Sequence, residues 1–119
     1  MSFQLNFLLQ KAASYLIEKN YESASLMLRQ LLRLDPHNSE GLRLSAILAS
    51  ESGDHAKALE IVEKALHSNR RNGFLHSNRG NILLKLGRIA DAIDAYKRAI
   101  QYAPNYAEAY GNLGNALQE

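Results

Sequence analysis

Small residues recur in this chain at intervals of 34 positions. Two registers of this repeat carry only Ala or Gly: Ala12, Ala46, Gly80 and Gly114, then Ala24, Ala58 and Ala92. Two further registers carry Ala or an aliphatic residue: Leu31, Ala65 and Ala99, then Leu32, Leu66 and Ile100. A 34-residue repeat in a chain of 119 residues indicates one domain built from stacked copies of a single unit.

Each unit is predicted to be a pair of antiparallel helices, because apolar residues recur within it at three- and four-residue spacings. Gly53 and Gly87 lie midway through their units, where a left-handed residue can end the first helix. Asn20 is expected to take that conformation in the first unit. Pro36 and Pro104 are expected to end second helices. The seven predicted helices span residues 3–18, 21–34, 39–52, 55–68, 73–86, 89–102 and 107–118.

The repeat also divides the chain into its units. Residues 1–119 are predicted to form a single all-α domain of about three and a half repeats. The first repeat covers 5–38, the second 39–72 and the third 73–106, and a partial repeat covers 107–119. One helical pair cannot bury its apolar face alone, so neighbouring pairs are expected to stack.

The third and fourth units carry the residues of a known motif. Tyr110-Gly111-Asn112-Leu113-Gly114-Asn115-Ala116 resembles the opening of a tetratricopeptide repeat (TPR), and Gly87-Arg88-Ile89-Ala90-Asp91-Ala92-Ile93 resembles its later part. Departures occur where the family has an aromatic residue, since the first three repeats have Leu8, Leu42 and His76 there. The resemblance implies a right-handed α-solenoid whose first helices line a concave groove that holds an extended peptide or a partner helix.

Several residues fall at the groove-facing positions that the resemblance implies. Asn78 and Asn112 are in register, as are Asn81 and Asn115, and this row is similar to the asparagine ladder of O-linked N-acetylglucosamine transferase repeats. Each amide can donate and accept, so the row suits a peptide backbone. The alternative is that these asparagines are ordinary solvated residues of the repeat. The predicted groove residues are Arg43, Asn78, Asn81, Lys85, Asn112 and Asn115.

A second TPR subgroup binds the C-terminal carboxylate of chaperones through Lys, Asn and Arg. In this chain Leu9, Ala13 and Leu44 stand where that clamp needs Lys and Asn. Apolar side chains cannot hold a carboxylate, so the sequence does not favour a chaperone clamp.

No catalytic site is predicted. The chain has no Cys, and its four His residues lack the spacing of metal ligands on a helix. Neither a nucleophile elbow nor a phosphate-binding Gly-rich loop is present. We therefore expect no enzyme activity, no metal and no cofactor in this chain.

The charge pattern bears on the partner. The net charge is only +2, but the third repeat concentrates Arg79, Lys85, Arg88, Lys97 and Arg98, preceded by Arg70 and Arg71. A solvated surface, a site for an acidic peptide and a phosphate-binding surface are all compatible with this cluster. Nucleic acid is not expected, because no exposed aromatic residues interleave the basic ones.

The main functional prediction is a protein–protein interaction module with a protein or peptide ligand. The alternative is the N-terminal, substrate-selecting arm of a larger enzyme such as a glycosyltransferase. The last helix has an apolar face that includes Tyr110, Leu113 and Leu117, which predicts self-association through that face. No apolar stretch is long enough to cross a membrane, and we expect a cytoplasmic location.

Overall fold

The computed structural model describes residues 2–119, and this part of the chain forms helices and no strands. Every predicted helix is present, and each predicted boundary is correct to within one residue. The helices are α1 Phe3–Ile17, α2 Tyr21–Leu34, α3 Ser39–Glu51, α4 His55–Ser68, α5 Gly73–Lys85, α6 Ile89–Tyr102 and α7 Ala107–Leu117.

The turn inside each helical pair is built on one residue with a positive φ. Gly53 (φ 91°) and Gly87 (φ 77°) occupy this position as predicted. In the first repeat the residue is Lys19 (φ 61°), so the assignment to Asn20 was wrong. Asn20 instead caps α2, since its side chain accepts a hydrogen bond from the Ser23 amide at 3.3 Å.

The position of Lys19 leads to a prediction about stability. A left-handed backbone costs a non-glycine residue about 1 kcal/mol relative to Gly, and the Lys19 side chain is exposed. We expect Lys19→Gly to raise the free energy of unfolding by about 1 kcal/mol in urea titrations. The adjacent Glu18 has a right-handed backbone (φ −76°), so Glu18→Gly is a matched control that should give no gain. Equal effects of the two changes would contradict this explanation.

Side-chain caps fix where most helices begin. Asn38 and Asn72 precede α3 and α5, and their side chains accept hydrogen bonds from the Gly41 amide at 2.8 Å and the Leu75 amide at 3.1 Å. These caps satisfy amide groups that have no partner within the helix. The turns that connect successive helical pairs are therefore fixed by local hydrogen bonds as well as by packing.

Contacts between helices define two faces. Consecutive helices pack along the whole chain, and α1, α3, α5 and α7 also contact one another in sequence. The second helices α2, α4 and α6 do not contact each other. The stack therefore curves with the first helix of each pair on its concave side and the second helix on its convex side.

The small residues of the repeat lie where paired helices approach most closely. Ala12, Ala46 and Gly80 are buried on first helices, opposite Leu28, Val62 and Tyr96 on second helices. The smallest residue, Gly80, faces the largest ring, and a Cβ atom at Gly80 would lie 2.5 Å from Cε1 of Tyr96. Gly and Tyr in the third repeat thus fill the space that Ala with Leu or Val fills in the others.

Candidate functional site

The predicted groove residues all lie on first helices. Arg43 belongs to α3, the residues Asn78, Asn81 and Lys85 belong to α5, and the remaining two belong to α7. A concave cavity of about 500 Å³ is lined by Asn78, Asn81 and Lys85, with Ile47 and Ile82 among its apolar walls. The cavity therefore combines amide groups and one amine with apolar surface.

Two hydrogen bonds anchor the side chain of Asn81. Its Oδ1 atom accepts one hydrogen bond from the hydroxyl of Tyr96 at 2.5 Å and another from Nδ2 of Asn112 at 3.2 Å. Tyr96 is fully buried, and its burial raises its pKa to about 12, so the hydroxyl stays protonated near neutral pH. The core residue thus fixes the orientation of an amide on the concave surface.

Arg43 and Asn78 form a second contact between neighbouring repeats. Nη1 of Arg43 donates to Oδ1 of Asn78 at 3.3 Å, while Nε and Nη2 donate to the Glu40 carboxylate at 2.8 and 2.7 Å. The hydrogen bond from Arg43 lowers the pKa of Glu40, and the hydrogen bond to Glu40 raises the pKa of Arg43. The guanidinium group is therefore committed largely to residues of this chain, and it positions Asn78.

The two remaining residues differ from each other. Asn112 is half-buried and bridges to Asn81, whereas Asn115 is exposed and forms no side-chain hydrogen bond with residues 2–119. Neither of them lines the concave cavity. The structure thus joins Arg43 to Asn78 and Asn81 to Asn112, and it leaves Asn115 apart.

These bonds determine which hydrogen-bonding groups the concave face offers. The Oδ1 atoms of Asn78 and Asn81 are occupied, while their amide hydrogens have no partner among residues 2–119. Asn112 uses its amide nitrogen, and its Oδ1 accepts from none of the described residues. The face therefore presents donors on α5 and an acceptor on α7.

Three residues at this face, Glu40, Tyr106 and Glu108, were not predicted from the sequence. The Glu40 carboxylate accepts hydrogen bonds from Arg43, and the Tyr106 hydroxyl donates to Glu108 at 3.0 Å. Burial and the Glu108 carboxylate both raise the pKa of Tyr106. Glu40 and Glu108 are separated by two repeat lengths, so their register was the signal that could have identified them.

The basic residues of the third repeat are spread over the molecule. Lys85 faces the concave cavity, Arg88 pairs with Asp91 at 2.9 Å, and Arg79 pairs with Glu63 at 3.1 Å. Arg79 and Arg98 also line a larger cavity on the convex side, between α4 and α6. These residues therefore do not form one continuous basic surface.

Residues 2–119 contain no cluster of three or more His, Asp or Glu side chains placed to hold a metal ion. Within the same residues, no helix has the length and apolar character needed to cross a membrane.

Sequence comparisons agree with the observed architecture. A family model described as a tetratricopeptide repeat matches residues 15–74, and one described as a TPR repeat matches residues 80–119. Among curated proteins, a DnaJ homolog subfamily C member 7 homolog from Schizosaccharomyces pombe is 27% identical over 121 residues, which cover 92% of this chain and 25% of that protein. The chain spans 25%, 17% and 9% of the first three curated relatives that it matches.

Solved structures give the same fold. A Thermobaculum terrenum O-GlcNAc transferase mutant is 25% identical with a TM-score of 0.91, over 96% of this chain and 22% of that one. The first TPR of Spaghetti (RPAP3), bound to an HSP90 peptide, is 24% identical with a TM-score of 0.86, over 99% and 94% of the two chains. These likenesses confirm the predicted right-handed α-solenoid of helical pairs.

Proposed function

Because this chain belongs to the tetratricopeptide repeat family, a family of protein-interaction modules, we propose that it binds an extended peptide along its concave face. The observation that carries the proposal is that hydrogen bonds within the chain fix which atoms of three asparagine side chains remain free to bind a ligand. Asn78 and Asn81 present donors, and Asn112 presents an acceptor. An extended peptide offers carbonyl oxygens and amide hydrogens in alternation, so these groups can pair with its backbone.

The neighbouring cavity would supply a modest preference for side chains. Its walls include the apolar residues Ile47, Ile82 and Leu84, and the charged residues Lys85 and Glu51 also line it. Apolar walls with a few polar groups are typical of surfaces that bind one side chain of a ligand. Backbone hydrogen bonds would give most of the affinity, and the proposed ligand is therefore a class of segments, not one sequence.

A chaperone C-terminus is not the ligand that we propose, although the Spaghetti domain carries an HSP90 peptide. Leu9, Ala13 and Leu44, which stand where the carboxylate clamp needs polar residues, pack in one apolar cluster with Ala12 and Leu28. Leu44 is buried there. Leu9 and Ala13 are half-buried, and all three side chains are apolar, so no charge is present at those positions to bind a carboxylate.

The asparagine contacts can be tested with a peptide array followed by anisotropy titrations of the peptides that bind. We expect Asn78→Ala plus Asn112→Ala to weaken binding about thirtyfold, because two neutral hydrogen bonds contribute about 1 kcal/mol each. Gln30→Ala plus Gln101→Ala is a matched control, since both are exposed amide side chains on the second helices α2 and α6, away from the concave face. Undiminished binding in the first variant, with an unchanged melting temperature, would exclude the asparagine row.

A second candidate function is the substrate-selecting arm of a larger enzyme, with no catalysis by these residues. The likeness to the O-GlcNAc transferase mutant at a TM-score of 0.91 favours it, since this chain covers only 22% of that one. The gene sequence beyond residue 119 tests the idea. A reading frame that continues into a glycosyltransferase domain supports it, and a stop codon at that point excludes it.

The remaining expectations from the sequence stay predictions. They include a cytoplasmic location and the absence of a cofactor and of a nucleic-acid partner. Self-association through α7 also stays a prediction. Its motivation is that Tyr110 and Leu117 remain exposed on that helix.

A further inference from the structure

The largest cavity described in the structure lies on the convex side, away from the proposed peptide groove. It has a volume of about 650 Å³ and lies between α4 and α6, with residues of α5 at its base. We call it the outer cleft. Its basic lining residues are Arg70, Arg71, Arg79 and Arg98.

Most of these arginines have unused hydrogen-bonding capacity. Arg79 is paired with Glu63, but Arg70, Arg71 and Arg98 form no ion pair within residues 2–119. The acidic Asp91 on the cleft wall is paired with Arg88, which lies outside the lining. A guanidinium group binds a carboxylate or phosphate through two parallel hydrogen bonds, so three unpaired groups around one cavity favour an anion.

The base of the outer cleft contains a buried polar atom without a partner. His76 is only 6% exposed, and its Nε2 lies 2.7 Å from the carbonyl oxygen of Arg70 and donates to it. The Nδ1 atom has no hydrogen-bond partner among residues 2–119. Burial, together with the nearby Arg98 and Arg79, lowers the pKa of His76. An anion in the cleft would offset those two charges and favour protonation of Nδ1.

A second cavity, lined by polar residues and by the rings of Phe74 and Tyr102, adjoins the outer cleft. This smaller cavity has a volume of about 370 Å³, and Arg71 and Tyr102 line both. Its wall includes Phe74, which is 49% exposed and packs edge-to-face against Tyr106 at 4.7 Å between ring centroids. An anionic group in the outer cleft would therefore lie next to a surface suited to an apolar side chain.

We propose that the outer cleft binds an acidic segment of a partner protein, in which a carboxylate or phosphate group is flanked by an aromatic or aliphatic side chain. The charges favour a peptide over RNA. Glu63, Asp91 and Asp94 line the same cleft, and they would repel a continuous polyanion. A single anionic group can instead lie among the unpaired arginines. The inference does not depend on the concave groove, because the outer cleft and the concave cavity share no lining residue.

The test uses three fluorescein-labelled peptides at one fixed salt concentration. Each contains a Phe, followed by phosphoserine in the first, Glu in the second and Gln in the third. We expect the two anionic peptides to bind and the Gln peptide to bind at least tenfold more weakly, because charge-assisted hydrogen bonds are the stronger ones. Tighter binding of phosphoserine assigns the site to phosphate, and equal binding assigns it to carboxylates.

Two variants locate the site. Arg98→Ala should weaken anionic-peptide binding about tenfold, whereas Lys97→Ala removes the same charge from the neighbouring residue, which does not line the cleft, and should change it little. The side-chain NMR signals of His76 should shift on binding in the wild-type protein. Equal losses in the two variants, equal binding of the Gln peptide, an unmoved His76 signal, or tighter binding of an oligouridylate would each overturn the proposal.

Discussion

Replacing Gly80 with Ala should destabilise the domain by about 1–3 kcal/mol, whereas the same replacement at Gly114 should stabilise it by about 1 kcal/mol. The two glycines occupy the same register of the 34-residue repeat, so sequence alone treats them as equivalent. A Cβ atom at Gly80 would lie 2.5–2.8 Å from three atoms of the Tyr96 ring. At Gly114 no described atom outside the adjacent residues and the local helix backbone lies within 4 Å of that position.

The opposite signs follow from two competing contributions. Ala is favoured over Gly within a helix by about 1 kcal/mol, and this gain applies at both positions. At Gly80 the added methyl group must displace a fully buried ring whose hydroxyl is hydrogen-bonded, so overpacking exceeds the gain. Urea unfolding followed by circular dichroism measures both changes. Stabilisation by Gly80→Ala would show that the ring moves aside at little cost.

A compensating change makes this test more specific. The first repeat places Ala12 opposite Leu28 at the spacing that separates Gly80 from Tyr96. In a Gly80→Ala background, Tyr96→Leu should therefore cost less than it does in the wild-type protein, because the smaller side chain makes room for the methyl group. A coupling free energy of about 1 kcal/mol is expected for residues in contact. Strict additivity would mean that the two positions do not share one packing site.

The helices were predictable because the repeat samples each element several times. In the second unit Arg70 stands at the repeat position of Pro36 and Pro104, and the end of α4 was predicted there from Asn69 and the Asn72-Gly73 pair. The turn at Lys19 was not predictable in this way. Lys19 occupies the same position of the repeat as Gly53 and Gly87. The general preference of Asn for a positive φ instead pointed to Asn20. The capping hydrogen bond of Asn20 decided between them.

The positions of the candidate-site asparagines were predictable from the sequence. Which of their side-chain atoms are free to donate or accept a hydrogen bond was not. Register placed Asn78, Asn81 and Asn112 on first helices. Which atom of each amide faces a ligand depends on the partners Arg43 and Tyr96, whose side chains reach across from other helices. Such bonds depend on rotamers and interhelical distances that no local pattern specifies. The hydroxyl of Tyr96, which fixes the orientation of Asn81, is a contact that the sequence did not indicate.

Tyr96 should therefore affect both stability and binding, through different atoms. We expect Tyr96→Ala to destabilise the domain by about 3–5 kcal/mol, because it removes a fully buried ring and leaves a cavity. Tyr96→Phe keeps the ring and removes only the hydroxyl, so the loss should be about 1 kcal/mol. Urea unfolding of the two variants separates packing from hydrogen bonding.

The same Phe variant tests the proposed peptide groove. Without the hydroxyl, Asn81 keeps only the hydrogen bond from Asn112, and its amide can rotate. Peptide affinity should then fall severalfold although the concave surface has lost no atom. The reason is that binding must now order the Asn81 side chain, which costs free energy. Tyr15→Phe is a suitable control, since Tyr15 lies on α1, lines neither the concave cavity nor the outer cleft and does not hydrogen-bond to Asn81. Unchanged affinity in Tyr96→Phe would show that the Tyr96 hydroxyl does not orient the amide for binding.

Alkaline pH gives an independent measure of the same hydroxyl. The pKa of Tyr96 is about 12 in the folded chain, against about 10 for an exposed tyrosine, because burial disfavours the phenolate. The folded state therefore keeps a proton that the unfolded state releases. The stabilisation from this proton is complete below pH 10 and is lost as the pH rises from about 10 to about 12. Tyr96→Phe should flatten that part of the pH profile, and a wild-type slope in the variant would assign the effect to the other tyrosines.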